Sequence, residues 1–132
     1  MIAVSTWAED PLTPAARVWE DELDAAGARD PADLPLVNDE AMNTVEKVRG
    51  LLLASGIAPG RIWLESLEHA WDPARHFALR IGFGRSSRRL SGLAASRRAD
   101  VLERIRARLA GLGREDYCYR ACAICAIGHR DA

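Results

Sequence analysis

The stretch Ile62-Trp-Leu-Glu-Ser-Leu-Glu-His-Ala-Trp71-Asp-Pro-Ala-Arg-His76-Phe-Ala-Leu-Arg-Ile-Gly-Phe83 decides how this chain folds. Its second half alternates: Phe77, Leu79, Ile81 and Phe83 fall on one face, with Ala78, Arg80 and Gly82 on the other. Strict alternation is the signature of a half-buried strand. Residues 62–71 and 77–83 therefore read as two strands, with Asp72-Pro73-Ala74-Arg75-His76 as a hairpin loop. Pairing Trp71 with Phe77 puts Trp63, Leu67 and Trp71 on the same face as the Phe77 series and sets Glu68 opposite Arg80. Slipping by one residue would bury the Glu68 carboxylate against Leu79.

Outward from this stretch, Ile2 to Trp7 reads as a short strand, followed by a turn at Glu9-Asp10-Pro11. Thr13-Pro14 opens a helix: the hydroxyl caps free N–H groups, and proline at the first position forfeits no bond. Val18, Trp19, Leu23 and Ala26 form its apolar stripe, and Gly27 stops it. Residues 28–37, with Pro31 and Pro35, form an irregular linker too short to separate domains. Asn38 or Asp39 caps a second helix with the stripe Met42, Val45, Val48 and Leu52, which ends at Gly56.

The Gly-, Ser- and Arg-rich residues 84–96 read as a loop, and a third helix follows from about Ser96 to Ala110. Tyr117 to Ile127 suits a strand by its aromatics and isoleucines, and a helix by its alanines and flanking charges. A strand is favoured, because it gives the third helix a sheet to pack on. The expected architecture is a single α+β domain spanning 1–132: two N-terminal helices, an antiparallel β-hairpin, one helix, and a C-terminal strand joining the sheet.

A length of 132 residues with 48% hydrophobic and 28% charged side chains suits one folded domain and argues against general disorder. Neither a secretory signal nor a membrane-length apolar run is visible, and three cysteines make a disulfide framework improbable. A cytoplasmic setting is the expectation.

The net charge of −1 hides a split: residues 1–74 carry −9 and residues 75–132 carry +8. Seventeen arginines against one lysine, with abundant Ala and Gly, point to GC-rich coding more than to a selected site. The densest cluster is Arg85, Arg88, Arg89, Arg97 and Arg98, and guanidinium forks bind carboxylates and phosphates well. Arg97 and Arg98 at a helix N-terminus oppose its dipole unless an anion sits there. That anion belongs either to an acidic partner or to the acidic half of the same chain. The aromatic residues typical of single-strand nucleic-acid binders are missing from the loop, so nucleic acid ranks below protein as a partner.

Cys118-Tyr-Arg-Ala-Cys122-Ala-Ile-Cys125, with His129 four residues on, is the sharpest chemical pattern. Three thiolates and an imidazole form a known zinc set. On a helix all four would share one face, whereas on a strand Cys125 turns away from Cys118 and Cys122. The C-x3-C-x2-C spacing also resembles the iron–sulfur cluster motif of radical SAM enzymes, over eight residues. There the motif opens a large barrel, while here seven residues follow Cys125, so that enzyme reading is set aside. The simpler reading is small, buried cysteines in a core beside Ala121 and Ala123.

Other constellations are weaker. His69 is expected on the apolar face with Glu65 two positions along the same side, a carboxylate–imidazole pair without a nucleophile. His76 reads as a loop residue. Gly82-Phe-Gly84-Arg85-Ser86-Ser87 is a glycine-rich turn able to cradle phosphate, yet it fits neither nucleotide-binding fingerprint. The common hydrolase, deaminase and metalloprotease signatures are missing. The leading expectation is a non-enzymatic protein-binding module, such as a small inhibitor, immunity or adaptor protein, that engages an acidic surface through the five arginines without a cofactor. The alternatives are a zinc or iron–sulfur protein using Cys118, Cys122, Cys125 and His129, and a nucleic-acid binder using the arginine loop.

Overall fold

A computed structural model describes residues 1–8, 12–30 and 41–130. In chain order these form β1 (Ile2–Trp7), α1 (Pro14–Ala25), α2 (Val45–Ala54), β2 (Ala58–Ala70), α3 (Pro73–Gly82), α4 (Gly84–Ser91), α5 (Ala95–Leu109), a 3-10 turn (Arg114–Tyr117) and β3 (Cys118–His129). The class is α+β, with a three-stranded antiparallel sheet in the order β1-β3-β2. No helix among the described residues is long and apolar enough to cross a membrane. The expected turn at Glu9-Asp10-Pro11, the Pro31–Pro35 part of the linker and the Asn38 or Asp39 cap lie outside the described residues.

The chain divides into two compact units, each assembled from separated segments. The first comprises Met1–Pro11, Leu36–Glu68 and Arg120–Ala132, and the second Leu12–Pro35 and His69–Tyr119.

In the first unit β1 runs antiparallel to β3, with Val4 opposite Ala126 and Thr6 opposite Ile124. One face of this sheet packs on α2: Val48 and Leu52 meet Ile124 and Ala126, with Val4, Ile57 and Ile62 around them. The helix starts later than the apolar stripe suggested, at Thr44, whose hydroxyl accepts from the Lys47 N–H at 3.2 Å. Gly128 lets β2 approach β3 closely, since a Cβ there would lie 2.6 Å from the Ile57 side chain and 2.9 Å from the Ala58 carbonyl oxygen.

The second unit is helical. Its core gathers Val18, Trp19 and Leu23 from α1, Leu90 from α4, Val101, Ile105 and Leu109 from α5, and Tyr117. The α1 ends match the sequence: the Thr13 hydroxyl accepts from the Ala16 N–H at 3.1 Å, Pro14 opens the helix, and Gly27 takes a φ of 65°. The Trp19 ring lies 5.2 Å from the Phe77 ring, tilted by 49°.

The hairpin reading is half right. Residues 58–70 form the strand, but 73–82 form a helix, so the Trp71–Phe77 register and the Glu68–Arg80 pair do not exist. Asp72 is the N-cap, its carboxylate accepting from the Arg75 N–H at 2.9 Å, and Pro73 takes the first helical position. The buried and half-buried positions of α3 are His76, Phe77 and Arg80, a helical spacing. Leu79, Ile81 and Phe83, the strand's supposed core face, are exposed, Phe83 to 74%.

Residues 84–91, expected to be loop, form α4, which opens at Gly84 with a φ of 76°. β2 instead pairs with β3, and Glu68 accepts from the Arg120 guanidinium at 3.4 Å. The C-terminal segment is a strand, as favoured.

Candidate functional site

Arg85, Arg88 and Arg89 sit on α4 and Arg97 and Arg98 on the first turn of α5, all in the helical unit. The structure separates these five. Arg89 is 3% exposed. Its Nε and Nη2 both donate to the Ala28 carbonyl oxygen, at 3.0 and 2.8 Å, and its Nη1 donates to Glu20 at 2.7 Å. Nη2 also donates to Asp24. A guanidinium this engaged clamps the end of α1 to α4, and the expectation that Arg89 faces a partner is corrected. Four hydrogen bonds offset the cost of removing its charge from water.

Arg85 donates to Asp30 at 2.7 Å, and Arg88 lies 4.0 Å from the same carboxylate. The bond to Asp30 raises the Arg85 pKa above its ordinary value. A pocket of about 490 Å³ lies here, with Arg29, Arg85 and Arg89 on its wall beside Asp24 and Asp30. Asp30 and Asp24 engage Arg85 and Arg89 there, while Arg29 makes no ion pair among the described residues.

Along α5, Arg104 and Arg108 each donate to Glu22, at 2.9 and 3.0 Å, and Arg108 also reaches Asp21 at 3.0 Å. The two arginine bonds, Arg104's first, hold the Glu22 carboxyl below its usual range. The acidic face of α1 is thus neutralised by α4 and α5. Much of the charge split seen in the sequence is an internal ion-pair network.

Arg97 and Arg98 remain. Both are exposed, and neither makes an ion pair among the described residues. The first turn of α5 holds no acidic side chain, and its N-cap Ala94 offers no side-chain hydrogen bond.

The cysteines lie on β3, and none of them is in a disulfide. In a strand Cys118 and Cys122 share one side about 13 Å apart while Cys125 turns to the other. The alternative metal set is therefore split as a strand requires, and among the described residues no group of three or more His, Cys, Asp or Glu side chains gathers as metal ligands would. Cys122 instead lies 3.8 Å from the Ser66 hydroxyl.

His69 is exposed rather than on an apolar face, edge-on to Trp71 at 4.5 Å. His76 is no loop residue: it is 3% exposed, edge-on to the Tyr117 ring at 5.5 Å. Its Nδ1 finds no hydrogen-bond partner among the described residues. Burial, aided by the nearby Arg80 charge, lowers its pKa to about 4.

The glycine-rich turn is the α3–α4 junction. Ser86, buried there, accepts from Arg80 at 3.4 Å, so the turn is committed to packing. The signal for Arg89 was present but unread: it lies three and four residues from Ser86 and Arg85, on the buried side of a helix taken for a loop.

No family model matches the chain, and no curated protein matches it either.

Proposed function

We propose that the chain is a non-enzymatic protein-binding module that docks an acidic surface of another protein on its helical unit. The observation that carries this reading is the pair Arg97 and Arg98, exposed and without an ion pair among the described residues at the start of a 15-residue helix. Two cations at the positive end of a helix dipole are unfavourable by themselves. A carboxylate-bearing partner removes that cost and gains two forked donors. Arg85 and Arg88, tied to Asp30, stand on the neighbouring helix and serve at most as rim contacts. An inhibitor, an immunity protein and an adaptor all fit this description, and the choice among them follows from the partner.

The test is capture from the native host with wild-type protein and with R97E/R98E. A stoichiometric protein partner is expected for the wild type, with association that slows as salt rises. The double variant should associate at least about tenfold more slowly, with a flatter salt dependence. Recovery of nucleic acid alone, or equal capture by the variant, overturns the reading.

A further inference from the structure

In the order β1-β3-β2, β2 is an outer strand, and among the described residues no strand pairs with its far side. It runs for 13 residues, and everything from Leu64 to Ala70 is exposed. Leu64 is 55% and Leu67 49% exposed, although they point to opposite faces. An open row of N–H and C=O groups flanked by apolar side chains is a template for another strand. Natural edges of this kind are usually blunted by lysine, proline or a bulge. Between Gly60 and Ser66 there is neither lysine nor proline, with Pro59 only at the start.

The charges along this edge select the occupant. Arg61 and Glu65 point to the same face of β2, with Trp63 between them. The Arg61 guanidinium stacks 4.8 Å from the centre of the Trp63 ring, and Glu65 makes no ion pair among the described residues. Consider two copies of β2 pairing antiparallel about a two-fold axis normal to the sheet. That axis keeps each face on its own side, so only residues of the same parity can stand opposite each other. Under that restriction Arg61 meets a carboxylate in one register, opposite Glu65 of the other copy. The same register sets Trp63 against its own copy on the axis, Ile62 against Leu64, and Gly60 against Ser66. Shifting by two residues either way puts Trp63 opposite a charged residue and leaves both ion pairs unmade.

We propose that the chain self-associates through β2, residues 60–66 of each copy pairing antiparallel about Trp63 to make one continuous six-stranded sheet. The partner is a second copy because this edge is complementary to itself: each copy offers one cation and one anion at positions that exchange. The sheet unit supplies this surface, so the proposal stands independently of Arg97 and Arg98.

Charge reversal in pairs tests it by sedimentation across a concentration series, with circular dichroism checking that each variant folds. The wild type should shift toward twice the monomer mass as concentration rises. R61E alone faces two glutamates against two, and E65R alone faces arginines against arginines. Each should dimerise at least about tenfold more weakly than wild type. An equimolar mixture of the two should dimerise again, because each copy now presents what the other lacks. A wild type that stays monomeric throughout overturns the proposal and leaves the acidic-partner reading standing. Dimers indifferent to both substitutions, or a mixture that fails to recover, overturn it equally.

Discussion

The guanidinium of Arg89 donates twice to a single acceptor, the carbonyl oxygen of Ala28, across 61 residues of sequence. Ala28 follows the glycine that stops α1, so its carbonyl would otherwise be a buried acceptor near a helix end without a partner. Arg89 satisfies it and, through Glu20 and Asp24, ties the last turns of α1 to α4. It acts as a staple inside the helical unit.

Arg89→Met should therefore cost about 3–5 kcal/mol, the usual range when one partner of a buried pair is removed. Arg85→Ala should cost less, about 1 kcal/mol, because the guanidinium is 61% exposed although its partner Asp30 is only 14% exposed. Chemical denaturation of both variants checks the contrast, and equal effects would mean that Arg89 is not the staple.

Stability should fall in two separate acid windows. His76 has a folded pKa near 4 against an ordinary 6.5, so the unfolded chain takes up a proton first. Its contribution is complete above about pH 6.5 and is lost as pH drops toward 4, up to about 3 kcal/mol in all. Glu22, held below its ordinary 4.5 by Arg104 and Arg108, contributes above that value and loses its share only as pH falls further. His76→Leu should flatten the upper window and leave the lower one. Melting curves between pH 7 and 3 decide this.

Gly128→Ala should destabilise the sheet unit by about 1–3 kcal/mol, because the new methyl overlaps Ile57 and the Ala58 backbone. The same change at Gly50 in α2, where a Cβ meets nothing within 4 Å, should be neutral or stabilising. Thermal denaturation of the two variants measures the difference.

Asp72→Ala removes the side-chain cap of α3 and should cost about 1 kcal/mol. Ala78→Pro, in the interior of α3, should cost about 3 kcal/mol or more. Loss of helical circular dichroism in the proline variant checks that 73–82 is a helix in solution.

Local signals in the sequence marked much of this architecture correctly. Thr13-Pro14 and Gly27 bound α1 because caps act through neighbours three residues away, and Val101, Ile105 and Leu109 mark α5 by their period alone. Ile2–Trp7 was likewise legible as a strand, whereas the C-terminal segment carried both strand and helix signals and was favoured as a strand only to give the third helix a sheet. At 73–83 two local signals competed. The alternation of Phe77, Leu79, Ile81 and Phe83 was read as a strand and Asp72-Pro73 as part of a hairpin loop, yet in the fold that Asp-Pro pair caps a helix. Only packing could settle it: His76, Phe77 and Arg80 find partners in the helical unit, while three of the four alternating residues stay exposed.

The fate of the arginines was the tertiary structure's decision entirely. Composition shows a chain acidic in its first half and basic in its second, and two readings of that split, an outward face or an internal network, are equal in sequence. Ion pairing depends on distance in space, and Glu20, Asp24 and Asp30 stand 55 to 69 residues from the guanidinium groups that hold them. Sequence alone determined the helix ends and strands formed by neighbours; the fold determined which charges face one another and which, like Arg97 and Arg98, are left to solvent.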